Sequence, residues 1–345
     1  MNDLNKTRYS RQILFQPIGN SGQEKLGKSR IAIVGAGALG TVLANHMVRA
    51  GVGFVRIMDR DFIEASNLQR QMLYDEDDAR QHLPKATAAA AKLAKINSSV
   101  QIEPVIADVN ATNAEELLSD VDLILDGNDN FQIRYLINDV AVKHRIPWVY
   151  GGAVGSKGMF TAIRPYETPC YRCLFPNPPS GRGETCDTSG VIGPIIHIIA
   201  SYQATEALKI LLGAKDKYNP YLEQFDIWSN QHMQLNVQKG KSNQCPACGL
   251  SQFEFLDPAG DTGEDYTSLC GRDTVQITPR KKQTVDLNEL KNHLSAIGSV
   301  EQNAFLLRFH IDGYTLVFFK DGRLLVQGTD DVVVAKTLYA KYVGS

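Results

Sequence analysis

Residues 31–40 read "IAIVGAGALG" and residues 54–61 read "FVRIMDRD". An apolar run opens into Gly35, Gly37 and Gly40, and an acidic residue, Asp59, follows at the distance of a second strand. In a strand–turn–helix unit each glycine has a mechanical task. Gly35 permits a tight turn, Gly37 lets a phosphate approach the backbone, and Gly40 lets the helix lie close to the strand. The helix N-terminus then favours the phosphate's charge, and Asp59 can bind a pair of ribose hydroxyls. NAD and ATP both present adenosine and phosphates, so this stretch alone does not choose between a redox dinucleotide and a nucleoside triphosphate.

Working outward, apolar strand patterns at 31–35, 54–59, 101–107, 121–127 and 147–152 alternate with helical patterns at about 39–50, 84–97, 112–118 and 131–144. Strands alternating with crossover helices predict a Rossmann-like, mainly parallel α/β sheet covered on both faces. From 156 to 240 the pattern shifts. "GMFTAIRP" and "YLEQFDIWSNQHMQLNVQK" read as strands that extend the sheet in antiparallel fashion, separated by a Pro/Gly-rich loop (175–190) and an apolar helix from 191. An acidic, aperiodic stretch follows. The expected division is 1–255 as the nucleotide domain, 256–271 as a linker, and 272–345 as a small α+β module of β-α-β-β-β-α type. Asp312-Gly313 and Asp321-Gly322 mark hairpin turns in that module.

Net charge is -2 over 345 residues, and the module's charges nearly balance, which argues against a nucleic-acid binder. The polar start "MNDLNKTRYSRQ" lacks the apolar core of a signal peptide. The apolar stretch 191–213 contains His197, Gln203, Glu206 and Lys209, so it reads as a buried helix rather than a membrane span. A cytoplasmic protein is expected.

The cations decide the nucleotide. "SNLQRQ" (66–71) places Arg70 past the second strand, "LPKATA" places Lys85 at a helix start, and "RYSRQ" offers Arg8 and Arg11. Several cations around one nucleotide suit a triphosphate whose α-phosphorus is attacked by a carboxylate. In "DGNDN" (126–130) a carboxylate ends a buried strand, over the crevice where open α/β sheets bind ligands. Asp129 is the candidate Mg²⁺ ligand, while Asp126 and Asn130 can instead cap the next helix. Four cysteines form two Cys-x-x-Cys pairs, "CYRC" (170–173) and "CPAC" (245–248). Cys170, Cys173, Cys245 and Cys248 complete a closed tetrahedral shell, so the expected metal is a structural Zn²⁺. Cys186, in a polar loop, is a candidate sulfur-handling nucleophile; nothing assigns a role to Cys270.

Together "RYSRQ", "GAGALG", "DRD", "NLQRQ", "LPKA", "NDN", the two Cys pairs and "TCDTSGVIGP" make the chain similar to the ThiF/MoeB/HesA family, over residues 8–249. The resemblance implies an ATP-dependent adenylyltransferase. It would join AMP to the C-terminal Gly-Gly carboxylate of a ubiquitin-like sulfur carrier of thiamin (thiazole) or molybdenum cofactor biosynthesis. A sulfur donor such as a cysteine desulfurase would then make the thiocarboxylate. Carried over, Gly35, Gly37 and Gly40 line the nucleotide and Asp59 holds the ribose. Asn67, Arg70 and Lys85 contact phosphates, Asp129 binds Mg²⁺, and Arg11 reaches into the partner's site of a homodimer. Cys186 aligns with the cysteine that ThiF-type members link to their carrier. The segment after 256 receives no role from the resemblance. A NAD(P) oxidoreductase and a zinc-stapled scaffold that binds ATP without turnover are the competing readings.

Overall fold

The computed structural model describes residues 7–178, 189–257, 265–269, 273–279 and 284–343, so Cys186 and Cys270 lie outside the described residues. The chain divides into two compact units, Met1–Gly181 with Val191–Pro258, and Arg182–Gly190 with Ala259–Ser345.

The larger unit holds β1 (Arg30–Val34), β2 (Phe54–Met58), β3 (Gln101–Val105), β4 (Leu123–Asp126), β5 (Trp148–Val154), β6 (Lys157–Ile163), β7 (Tyr221–Asp226) and β8 (Gln231–Asn236). They form one sheet in the order β3-β2-β1-β4-β5-β6-β7-β8. The first five strands are parallel and β5 to β8 run antiparallel. β2 and β4 are buried at every position, which is why they read as unbroken apolar runs rather than alternating ones. One face is covered by helices Ala38–Ala50, Lys85–Ile96 and Gly193–Leu212, and the other by Ala114–Leu118 and Phe131–His144.

Gly193–Leu212 is long and apolar enough to cross a membrane by length and composition. Its inner side, however, enters the core through Ile195, Ile196, Ile199, Ala204 and Ala207, with Gln203 and Glu206 also buried. Gln203 Nε2 donates to the carbonyls of Asp126 (2.9 Å) and Val149 (3.2 Å), tying the helix to β4 and β5, while its Oε1 is buried without a partner among the described residues. The sequence order reverses between β1 and β4, and the crevice at their carboxyl ends is the ligand position of such sheets.

The smaller unit is an antiparallel sheet of β9 (Asp265–Leu269), β10 (Thr274–Thr278), β11 (Ser299–Gln302), β12 (Leu306–Ile311), β13 (Tyr314–Phe319) and β14 (Leu324–Gln327). Its order is β11-β12-β13-β14-β10-β9. Helices Leu287–Leu294 and Val332–Tyr342 pack on one face over Val275, Leu307, Phe309, Leu316, Phe318 and Val326. Asp312 and Gly313 both have positive φ (51° and 82°), the backbone a two-residue hairpin requires. Two strands were absent from the sequence reading: β9, in the stretch read as linker, and β11. Both are sheet edges, and an edge strand pairs on one side only and needs little apolar alternation.

Candidate active site and metal centre

The glycine turn follows β1. Gly35 has φ +96°, a left-handed value, and its N–H donates to Met58 O at 2.8 Å, tying the turn to β2. A Cβ on Gly40 would stand 1.9 Å from Gly35 O, so helix Ala38–Ala50 can lie this close only with glycine there. Gly37 caps that helix, and a Cβ on it would meet only Gln71 Nε2, at 3.9 Å. The space above Gly37 is otherwise open.

Asp59, just past β2, accepts the N–H of Ala36 (2.7 Å) on one carboxylate oxygen and that of Asp61 (2.7 Å) on the other. Burial pushes its pKa up, and the nearby Lys85 ammonium opposes this. The residue read as a ribose ligand therefore also braces the glycine turn. The hydroxyl of Tyr74 lies 2.7 Å from Ala36 O and 3.1 Å from Lys85 O, joining the turn to the helix that Lys85 starts. Burial raises that phenol's pKa well above its ordinary value, so it stays a neutral bridge.

Lys85 is buried, and its Nζ is 3.1 Å from Asp61 Oδ2. Its backbone N–H also donates to Asp61 O at 2.9 Å. Asn67 is buried in a short turn, its Oδ1 accepting the N–H of Glu64 at 3.0 Å. The carbonyl of Asn67 accepts the N–H of Arg70 (3.1 Å), whose half-buried side chain donates to Ser66 O at 2.9 Å. The segments carrying Gly37, Asp59, Asn67, Arg70 and Lys85 thus gather around one crevice.

The residues of the "DGNDN" loop take different partners. Asn130 caps helix Phe131–His144 by accepting the N–H of Gln132 at 2.8 Å. Asp126 is fully buried and pairs with Arg134, Nε to Oδ2 2.8 Å. Asp129 stands exposed in the loop between β4 and helix Phe131–His144. Arg134 escaped the sequence reading. Its guanidinium also donates to Asn128 O (2.8 Å) and Gly151 O (3.0 Å) and lies over the Tyr150 ring. Facing Asp126 in this dry setting, the guanidinium is held protonated more firmly than in water. The available signal was an Arg one turn into the helix that follows an acidic strand end.

Arg11 is not brought to this crevice. It is exposed on the helix Ser10–Leu14, whose neighbours Arg8 and Gln12 bond the carbonyls of Ile96 (2.7 Å) and Ala50 (2.9 Å). Those carbonyls end the two helices that begin at the glycine turn and at Lys85. Helix Ala38–Ala50 has 13 residues, so its far end, where Arg11's neighbour Gln12 is bonded, lies about 20 Å from the turn, toward the amino ends of the strands.

The four cysteines converge although 71 residues separate the pairs. Their sulfurs lie within 4.8 Å of one another, Cys170 to Cys245 and Cys173 to Cys248 at 3.5 Å. A Zn–S bond of about 2.3 Å implies sulfur–sulfur separations of roughly 3.8 Å in a tetrahedron, so this all-thiolate donor set fits Zn²⁺. The four ligands leave no open position, and the group is buried beside Tyr171 and Trp148, in the core on the β4–β5 side.

The ThiF family matches residues 9–247. A Bacillus subtilis (strain 168) protein described as a sulfur carrier protein ThiS adenylyltransferase is 46% identical over 338 residues, 98% of this chain and 99% of its own. A Haloferax volcanii protein described as a SAMP-activating enzyme E1 is 39% identical over 265 residues, 76% of this chain and 94% of its own. Among solved structures, E. coli MccB with ATP superposes with a TM-score of 0.61 at 22% identity, over 72% of this chain and 76% of that one, a likeness of fold. With the glycine turn, the strand-end cations and three of the four clustered cysteines falling inside the matched residues, and Cys248 one position beyond them, the chain belongs to the ThiF family.

Proposed function

We propose that the protein is an adenylyltransferase that moves the AMP of ATP onto the C-terminal Gly-Gly carboxylate of a ubiquitin-like sulfur carrier. The observation that carries this reading is the 46% identity to a ThiS adenylyltransferase over 98% of the chain, the smaller unit included. That extent favours a ThiS-type carrier, and so thiazole formation in thiamin biosynthesis, over the molybdopterin branch.

A carboxylate oxygen of the carrier attacks the α-phosphorus, the bond to the β-phosphate bridging oxygen breaks, and pyrophosphate leaves with the electron pair. The nucleophile is already ionised near neutral pH, so no general base is needed. The difficulty is like charge meeting like charge. Lys85 and Arg70 offset it from one side of the crevice, with Asn67 donating to the phosphates. Asp59 keeps lone pairs for the ribose hydroxyls even while bracing the turn. Asp129 would hold Mg²⁺, which supplies further charge neutralisation when bound. Arg11 serves the site of a second copy in a homodimer, because it stands a helix length from its own. A sulfur donor such as a cysteine desulfurase then displaces AMP from the acyl group, with Cys186 as the thiol that can take up the carrier. Zn²⁺ is structural. Free thiols of this kind suit a reducing, cytoplasmic setting.

The test is ATP–pyrophosphate exchange with purified carriers. Exchange that requires a ThiS-type carrier and its terminal Gly-Gly supports the reading. Exchange with a MoaD-type carrier alone moves the protein to the other branch. ATP binding without exchange on any carrier makes it a scaffold, and NAD binding in place of ATP makes it an oxidoreductase.

A further inference from the structure

Two side-chain amides border the glycine turn without a hydrogen bond. Gln71 is 3% exposed, and its Oε1 is buried with no partner. Its Nε2, the atom that faces Gly37, is bonded to nothing among the described residues. On the other side of the turn, Asn128 Nδ2 is also buried and unbonded, and Oδ1 lies 3.1 Å from where a Cβ on Gly35 would stand. The backbone of Asn128 is held by Asp126 and Arg134, so this side chain is placed by its loop and not by contacts of its own.

A buried amide with no partner disfavours the folded state, and native proteins rarely keep one without a ligand or ordered water to satisfy it. Gln71 lies where the second glycine admits phosphate to the backbone and Asn128 lies beside the first, and a phosphate chain requires donors. We propose that Gln71 and Asn128 are nucleotide ligands, donating to the phosphate chain from the two sides of the glycine turn. This rests on the reading of the crevice as an ATP site. Gln71, over Gly37, meets the phosphate nearest the helix N-terminus. Being neutral, the amides add donors that are already desolvated and aimed, without competing with Lys85 for its carboxylate partner.

The test uses the full-length protein and ATP alone, with binding measured by calorimetry and thermal melting recorded with and without ATP. Gln71→Met and Asn128→Leu keep the volume and remove the amide. Each is expected to melt at or above the wild-type temperature without nucleotide, since an unsatisfied group is gone. Each is also expected to bind ATP about tenfold or more weakly, with a smaller ATP-induced rise in melting temperature. Gln71→Glu, which places a negative charge among the phosphates, should weaken binding further than Gln71→Met. Variants that bind ATP as tightly as wild type would overturn the proposal. So would nucleotide-free melting several degrees lower, which would make the amides structural. If wild type itself shows no ATP binding, the reading of the crevice fails instead.

Discussion

Replacing Arg134 with methionine should be among the most damaging single changes in the larger unit, and its partner should largely rescue it. The guanidinium bonds Asp126 Oδ2 (2.8 Å), Asn128 O (2.8 Å) and Gly151 O (3.0 Å), and Asp126 has no exposed surface. Removing one partner of a buried pair costs about 3–5 kcal/mol, because the other is left charged in a dry setting. Burial already pushes the Asp126 carboxyl above its ordinary range, so Arg134→Met lets it take up a proton, which caps the penalty. Asp126→Leu alone strands the guanidinium and costs about the same. In the double variant no charge remains, and what is lost is the bonding of a few backbone groups at about 0.5–1.5 kcal/mol each. The double should therefore fall only about 1–3 kcal/mol below wild type, against roughly 6–10 kcal/mol for the summed singles. Urea unfolding followed by tryptophan fluorescence reads this directly, since Trp148 is buried beside Tyr150 while Trp228 is 79% exposed. A double variant as unstable as the summed singles, or an Arg134→Met cost below about 1 kcal/mol, would refute the account of this pair.

Metal analysis should find about one zinc per chain, lost in Cys173→Ala together with a lower melting temperature; a metal-free wild type of full stability would remove the zinc assignment. Burial lifts the Asp139 carboxyl from 3.8 to about 6, opposed by the Phe255 N–H that bonds it. Because the folded state holds this proton more tightly, the group costs stability as pH rises from about 4 to 6, and Asp139→Asn should flatten that slope in pH-dependent unfolding. An unchanged slope would show that Asp139 ionises freely in the fold. Arg11→Ala and Lys85→Met should each abolish carrier-dependent exchange, yet refolding the two together should restore part of it. In mixed dimers one site then has its own Lys85 and its partner's Arg11. No restoration would place Arg11 outside the neighbouring site.

Much of the site was legible because its requirements are local. Gly35 and Gly40 are dictated by a turn and a packing distance, both within one strand–helix unit, and their spacing in sequence records those needs. Asp59, Lys85 and Asp129 sit at strand ends and a helix start, places that alternating patterns locate well. Where the pattern was weak the reading failed. β9 and β11 are short edge strands whose side chains need not alternate, and their pairing partners identify them.

The parallel α/β core, the glycine turn, the two cysteine pairs and the family could be read from the residues alone, since each is written in spacing or in short-range steric demand. What those residues do to one another depends on packing between distant segments. It assigned Asp126 to Arg134 rather than to a cap and turned Asp59 into a brace for the glycine turn. It left the side-chain amides of Gln71 and Asn128 without hydrogen bonds among the described residues, and it carried Arg11 to the far end of the helix that starts at the turn. These outcomes follow from strand order and from which side chains are shut away from water, and both are set by long-range burial, which neighbouring residues do not encode.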